Sequence, residues 1–548
     1  MQQSSAPPKA YRHFLLLFLL GVSSTIIYIV ALLRFPLAEL YTRLRFNLAD
    51  FTHSDIRTGL VITACTIALF ISYTLGALVV KGLPRRYSFV PALILIIPLI
   101  FVAILLFTQP ATSLDLYDYL FRGRMLARYH ANTFVQVPRD FESDPLFKQV
   151  AWRGAVTAYG PLWEGMSWLT AWLAGEAPGA IPVSNNAALL QLMFAYKINA
   201  TLGFLLCGAA IWGALGRIAP KQRWLGLYLW LWNPLAIWES VAAGHNDAWM
   251  TALIVLAVWA LTPRRGEPLV RRRRNTITRQ PLASWPDAFS AVSAFSAQLA
   301  FLALTIGGLI KYVAFFFGPT ALMAALRQLP SWRKRLQLIL ISGVVCSALV
   351  VVAYAQFWVG MDTLTNVSAR ENLFTASWLA TLQPLLIGIV SEAQSKLLAT
   401  RIGLILLLPG VLWSAWRGWR APRDVSGHML WLLLWFLFVC NPWFQPWYLL
   451  WALGLVALQP WRARLVWTVI LFCLTSMLSY SAVAFLRPAL GWNANSAAWN
   501  AVLSVLIYLP PLIALGWSYA LDGMAILGKV ARLPRMLVSR RGRDVVVR

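Results

Sequence analysis

Charge is what this chain lacks most. Only 12% of its residues are charged, about half of the roughly 25% found in an ordinary soluble domain. The shortage falls on the acids, with 20 Asp and Glu against 47 Lys and Arg. No P-loop, G-x-G-x-x-G fingerprint or H-E-x-x-H appears, so soluble nucleotide machinery and zinc-peptidase chemistry are excluded. The five cysteines, Cys65, Cys207, Cys346, Cys440 and Cys473, lie in apolar stretches without C-x-x-C spacing. They are expected to be small core hydrophobes, not a disulfide framework or a metal site. There is no fixed-period repeat, no long low-complexity tract and no stretch with the composition of a soluble domain.

Apolar runs take the place of charge. The chain is 59% hydrophobic, with a mean hydropathy of +0.65. Its apolar residues come in runs of about 20, enough to cross a hydrocarbon core near 30 Å thick. About 14 spans are expected, at 14–33, 60–80, 90–107, 190–215, 224–238, 248–262, 289–309, 311–326, 336–358, 398–416, 428–442, 445–460, 465–486 and 499–520. The fold class expected is an all-α polytopic membrane protein. The N-terminal run continues without a small-residue cleavage site and is read as a retained helix, not a signal peptide. Residues 374–389 are apolar enough to span, but counting them would invert the following charges, so they are read as a re-entrant or interfacial helix. Four regions follow: N-terminal spans to 108, an external segment over 109–186 with juxtamembrane helices, a bundle over 187–521, and a basic tail over 522–548.

The net charge of +27 is a matter of topology. With a cytoplasmic N-terminus, the inner segments hold Lys81, Arg85 and Arg86; Arg217, Lys221 and Arg223; the run 264–279; Arg333, Lys334 and Arg335; Arg417, Arg420 and Arg423; and the tail from Lys529. Roughly 31 of the 47 basic residues and about 5 of the 20 acids fall inside, a positive-inside signature. Arg271–Arg274 then reads as a topology anchor, and nucleic acid is excluded as a partner. Both termini are expected to be cytoplasmic, in an inner or plasma membrane.

Polar residues gather at the other, external ends of the spans, in five segments. These are Asp115-Leu-Tyr-Asp118-Tyr-Leu-Phe-Arg122-Gly-Arg124, Tyr159-Gly-Pro-Leu-Trp163, Glu239 to Gly244-His245-Asn246-Asp247, Lys311-Tyr312, and Asn441 to Gln445-Pro-Trp447-Tyr448. An enzyme outside the cytoplasm has no nucleotide sugar, so an activated donor must arrive in the membrane, as a polyprenyl-phosphate sugar does. Transfer from it needs a carboxylate to take the acceptor's proton and cations to hold the leaving phosphate. Asp115 supplies the first, and Arg122, Arg124 and Lys311 the second. Tyr159, Trp163, His245, Asn246, Asp247, Tyr312, Gln445, Trp447 and Tyr448 are candidate substrate contacts.

Each assignment has a plainer reading beside it. Asp115 could cap a helix beginning near Tyr117, and Asp118 is expected to pair with Arg122 on the helix surface. The arginines could anchor to headgroups, and His245-Asn246-Asp247 could cap the next span. Lys311 could snorkel, and Trp163, Trp447 and Tyr448 could form an interfacial belt. Asp140, Glu142 and Asp144 read as solvated loop, and Asn366-Val-Ser368 as a glycosylation sequon without consequence.

The ordered set of five segments resembles the GT-C superfamily of polyprenol-phosphate-dependent glycosyltransferases. It is most similar to the bacterial alpha-mannosyltransferases that extend lipid-linked mannans, over roughly residues 85 to 460. Asn132-Thr133-Phe134 stands where that group has Asn-Pro-Tyr. The resemblance implies a GT-C-like helix bundle and an inverting transfer of a sugar, mannose by family alone, to a lipid-linked or glycan hydroxyl acceptor. It also implies a general base at Asp115, no cofactor and no essential metal. A lipid-linked glycan ligase or polymerase and a polytopic transporter are the alternatives.

Overall fold

The computed structural model describes residues 8–42, 47–82, 89–177, 185–263, 293–367 and 373–516. Arg85 and Arg86, the run 264–279, Ser368 and the tail from Lys529 lie outside the described residues. The protein is an all-α polytopic membrane protein, and among the described residues the only β pairings are two isolated bridges.

Nine helices among the described residues are long and apolar enough to cross a membrane. In chain order, the elements that matter below are α1 (Pro8–Arg34), α2 (Ile56–Lys81), α3 (Phe89–Leu106), α4 (Asp115–Tyr129), α5 (Pro161–Leu173), α6 (Asn185–Ile218), α7 (Arg223–Leu231), α8 (Asp247–Leu261), α9 (Ala294–Ile310), α10 (Gly318–Gln328), α11 (Trp332–Ala355), α12 (Glu392–Arg420), α13 (Val425–Trp435), α14 (Leu449–Ala457) and α15 (Ala463–Ser481). The other expected spans are short or broken. The one at 224–238 stops after α7, where Asn233 accepts hydrogen bonds from the Leu235 and Ala236 backbone N–H groups and restarts a helix at Pro234. The one at 311–326 opens as a 3-10 turn over Tyr312–Phe317 before α10. The one at 445–460 begins as a 3-10 turn over Pro446–Tyr448 before α14, and α8 and α9 are 15 and 17 residues long.

These five abbreviated elements carry three of the five polar segments, and the reason is geometric. A 15-residue helix is about 22 Å long, short of a core near 30 Å, so such helices leave room for polar segments at their ends. Among them, α8 packs between α6 and α9, and α14 sits against α8 and α13. All of α14 is buried, as befits a helix that is apolar on every side. By contrast α11, apolar beyond its basic first turn, buries only Leu338, which makes it a lipid-facing outer helix.

The segment after α3 folds back as a cap of two short helices, α4 and α5, packed on each other. In α4, Asp115 and Asp118 sit in the first turn and Arg128 in the last, matching the helix dipole at both ends. The helix closes on His130 in the left-handed region, φ 51°. Thirteen of its fifteen residues, Asp115 to Ala127, are buried, so it is an internal element and not an interfacial one. Residues Trp378–Leu386 form a nine-residue helix tied to the 439–443 segment, through Ser377 Oγ to the Pro442 carbonyl and Trp378 Nε1 to the Val439 carbonyl. At about 14 Å it does not cross a bilayer. Cys207, Cys440 and Cys473 are buried, and Cys65 and Cys346 half-buried, all as free thiols.

Candidate active site

Asp115 is the first residue of α4, and the position before it, Leu114, makes no side-chain cap. Its carboxylate is buried, and Oδ2 accepts a hydrogen bond from Tyr159 Oη at 3.0 Å. Tyr119 Oη in turn donates to Tyr159 Oη, also at 3.0 Å. Burial, with Tyr159 and Asp115 nearby, pushes the Tyr119 phenol well above its ordinary value, so this relay has a fixed donor at its inner end.

The Tyr159-Gly-Pro-Leu-Trp segment reaches this place because of Gly160. A Cβ there would lie 2.1 Å from the Leu309 carbonyl oxygen, so only glycine lets the strand-like turn clasp the end of α9. The Gly160 N–H donates to the Ile310 carbonyl, one residue before Lys311, and Pro161 then opens α5 at its first position. Tyr312 Oη donates to the Tyr159 carbonyl at 3.3 Å and shares a hydrogen bond with Tyr354.

The hairpin before α8 is fully buried, with Glu239, Ser240, His245, Asn246 and Asp247 all at 0% exposure. Glu239 lies in a π-helical turn, Trp238–Ala242, and Gly244 makes the bend at φ +76°, a conformation glycine adopts without strain. The His245 ring stands between two carboxylates, with Nδ1 3.8 Å from Asp115 Oδ2 and Nε2 3.3 Å from Glu239 Oε2. It stacks on Trp447 with centroids 4.0 Å apart. Glu239 Oε1 accepts from Tyr480 Oη at 2.9 Å. Asn246 makes no capping bond to α8, and neither polar atom of its amide has a hydrogen-bond partner among the described residues.

Asp247 binds cations and donors instead of capping. Its Oδ1 accepts from Lys311 Nζ at 2.7 Å and from Trp451 Nε1 at 2.7 Å, while Oδ2 has no partner among the described residues. Lys311 is held in an aromatic enclosure, its ammonium 5.1 Å from the Tyr448 ring, 5.3 Å from Trp451 and 5.8 Å from Tyr159. A cation over several rings gains further attraction when desolvated. Lys311 therefore faces inward, and its alternative as a snorkelling anchor does not describe its position. Thus all five polar segments meet around Asp115, His245 and the Asp247–Lys311 pair. Gln445 is half-buried and lines an adjoining cavity of about 350 Å³ with Thr112, Tyr480 and Arg487.

Several residues take positions that differ from the surface roles foreseen for them. Asp118 and Arg122 do pair, at 2.9 Å, but both are 1% exposed, so the pair is buried and not on a helix surface. Arg122 also donates to the Ala155 carbonyl, and one terminal nitrogen, Nη1, has no partner among the described residues. Arg124 is held by Asp144 and Glu176. Burial works against its charge, and the two carboxylates outweigh that, holding the guanidinium above its ordinary value. Asp144 is buried, whereas Asp140 and Glu142 are exposed, because Arg124, Tyr129 and the Leu146 N–H all bind it. Trp163 is 1% exposed among Tyr119 and Tyr159 and presents no ring face outward. In Asn132-Thr133-Phe134, Thr133 and Thr157 donate to Glu164, and Phe134 packs on Phe357 and Tyr354. Burial raises the Glu164 carboxyl above its usual range, against the opposing pull of Arg122 and the two hydroxyls.

The Arg124 cluster carries a stability prediction. Removing one partner from a buried ionic group leaves uncompensated charge, at about 3–5 kcal/mol. Arg124→Met is therefore expected to lower the melting temperature of the detergent-purified protein by several degrees. An unchanged melting temperature would mean that Asp144 and Glu176 find other partners.

Sequence reading passed over Lys197, Glu239 and Tyr480 as site residues. Lys197 lies inside α6 at 0% exposure, and its ammonium donates to the carbonyls of Leu105 and Thr108 at the end of α3. It fixes where the chain leaves α3 towards Asp115. The signal was present, since a lone lysine inside a spanning helix is rarely idle. Among the described residues, no group of three or more His, Cys, Asp or Glu has the placement to hold a metal ion.

Comparison with known proteins bears on this cluster. The family profile described as "Alpha-(1->6)-mannopyranosyltransferase, N-terminal domain" (MptA_B family) matches residues 19–327, more than half of the 548 residues. The match includes Asp115, the Tyr159 and His245 segments and Lys311, and ends before Gln445. No curated protein and no solved structure matches.

Proposed function

We propose, for a chain that belongs to the MptA_B family of alpha-(1->6)-mannopyranosyltransferases, that it moves mannose from a polyprenyl-phosphate donor to a hydroxyl of a glycan or glycolipid on the non-cytoplasmic face of a plasma membrane. Membership makes it a glycosyltransferase and removes the transporter alternative. The observation that carries the finer reading is the convergence of Asp115, His245, Glu239 and the Asp247–Lys311 pair in one buried cluster at the ends of shortened helices.

In this reading the acceptor O–H gives its proton to the Asp115 carboxylate as its oxygen attacks the anomeric carbon. The C–O bond to phosphate breaks, and the electron pair leaves with the polyprenyl phosphate. Attack from the face opposite the leaving group inverts the centre, so an alpha product calls for a beta-linked donor. Tyr159, hydrogen-bonded to Asp115, and His245, between Asp115 and Glu239, position that carboxylate. Lys311 carries the charge suited to the departing phosphate, and the Asn246 amide and Asp247 Oδ2, without hydrogen-bond partners among the described residues, suit sugar hydroxyls. Arg124, satisfied by two carboxylates, is assigned to structure instead. Arg122 acts through the electrostatics around Glu164.

Orientation is the test of the whole reading, because a cytoplasmic site would have nucleotide sugars at hand. Ser143 is exposed on the cap, and Lys221 is exposed at the opposite end, between α6 and α7. In a background without native cysteines, Ser143→Cys is expected to react with a membrane-impermeant maleimide on intact cells, and Lys221→Cys only after permeabilisation. The reverse pattern would reject the proposed donor.

A further inference from the structure

A second cavity, of about 370 Å³, runs beside the first, between α1, α2 and α15. Its walls are Ile27 and Val30 of α1, Val61, Ile62 and Leu69 of α2, and Met477 of α15. Val61 is 58% exposed and Val30 47%, so the groove opens sideways, on the side where lipid would lie. From Arg57 to Leu69 it follows α2 for about 18 Å.

Its charge is confined to one end. Arg34 is the last residue of α1 and Arg57 the second of α2, and both line the groove. Arg487, beyond α15, lines the adjoining polar cavity at the same end. None of the three has a carboxylate within ion-pair distance among the described residues. The two cavities share Leu48, Thr112 and Tyr480. Tyr480, in the wall of both cavities, donates to Glu239, whose other oxygen lies 3.3 Å from His245 Nε2, and His245 Nδ1 lies 3.8 Å from Asp115.

The geometry points to this groove as the seat of the isoprenoid chain of a lipid phosphate, with Arg34, Arg57 and Arg487 drawing the phosphate end in towards the cluster that holds Lys311. This deepens the proposed function and rests on its choice of donor. A long apolar trough open to lipid, cationic at one end only, matches a molecule that is a single chain with an anionic phosphate head. An ordinary membrane phospholipid would fit the trough, but it has no reason to present its head beside a buried carboxylate–imidazole cluster. Arg487, half-buried within the polar cavity, becomes a residue that attracts the phosphate on its way in, one that the motifs did not indicate.

The test uses the full chain in lipid nanodiscs and a long-chain polyprenyl phosphate carrying a photoactivatable diazirine. The label is expected in peptides covering 27–35 and 57–69, undiminished by excess phosphatidylglycerol. Val61→Trp, at the open side where the fold tolerates bulk, is expected to raise KM for a long-chain polyprenyl-phosphate mannose about tenfold or more. It should leave a short-chain, water-soluble mannosyl phosphate unaffected. Arg57→Gln should raise KM for both donors. Label elsewhere, or displacement by phosphatidylglycerol, overturns the groove assignment while leaving the transferase reading intact. Label in the groove without transfer from either donor upholds the groove and rejects the transferase reading.

Discussion

Asp115→Asn is expected to cut mannosyl transfer by about a hundredfold or more, the usual worth of a positioned general base, with expression and donor binding near those of the unaltered protein. The amide keeps an oxygen to accept from Tyr159 but cannot take a proton. The two competing carboxylates are each already engaged: Asp247 by Lys311 and Trp451, Glu239 by Tyr480. Among the described residues neither Asp115 nor Glu239 pairs with a lysine or arginine, and His245 stands 3.8 Å from the first and 3.3 Å from the second. Asp115 is thus set apart from Asp247 by charge and from Glu239 by its place at the head of α4. Measuring kcat for the three Asn or Gln variants decides between them. Near-full activity in Asp115→Asn with loss in Asp247→Asn would move the base to the hairpin before α8. Activity in all three would reject acid–base chemistry at this cluster.

Lys311→Met is expected to raise KM for the donor about tenfold to a hundredfold, the loss of one charge-assisted contact of about 1.5–3 kcal/mol. It also strands the buried Asp247, and breaking such a pair costs about 3–5 kcal/mol. The double variant Lys311→Met, Asp247→Asn separates the two effects. Melting temperature should recover, because no lone carboxylate is left, while donor KM stays high. Recovery of both would reduce Lys311 to a neutraliser of Asp247 with no hold on phosphate.

The parts of this fold legible in the sequence are those that local composition dictates. Long apolar runs had to be helices, and the nine that are long enough stand as such. Motif order also exposed the meeting of Asp115, Tyr159, His245, Lys311 and Trp447, since polar groups at short helix ends have few other places to go. What stayed hidden was decided by distant partners. Arg124 looked free because Asp144 and Glu176, 20 and 52 residues further on, sit in stretches that resemble open loop. Trp163 looked like a platform because nothing near it in the chain announces that Tyr119 covers it. Tyr480 belongs to an unremarked apolar helix, and only the fold brings its hydroxyl to Glu239 from 241 positions away.

Three wide turns, Trp238–Ala242, Phe436–Cys440 and Ala482–Leu486, each adjoin a residue of this cluster, as such turns often do at working sites. A π turn holds one residue more than the α-helix needs, and each residue accounts for about 100° of rotation. A deletion within 482–486 would therefore be absorbed as the turn closes to ordinary α form, whereas a deletion in the α-helical part of α15 would swing Arg487 by about 100°. Phase, maintained despite one supernumerary residue per helix, keeps the lower faces packed against their neighbours and the upper faces aimed at the sugar. Such a chain tolerates exchange of side chains along these helices more readily than any change in their count outside the turns.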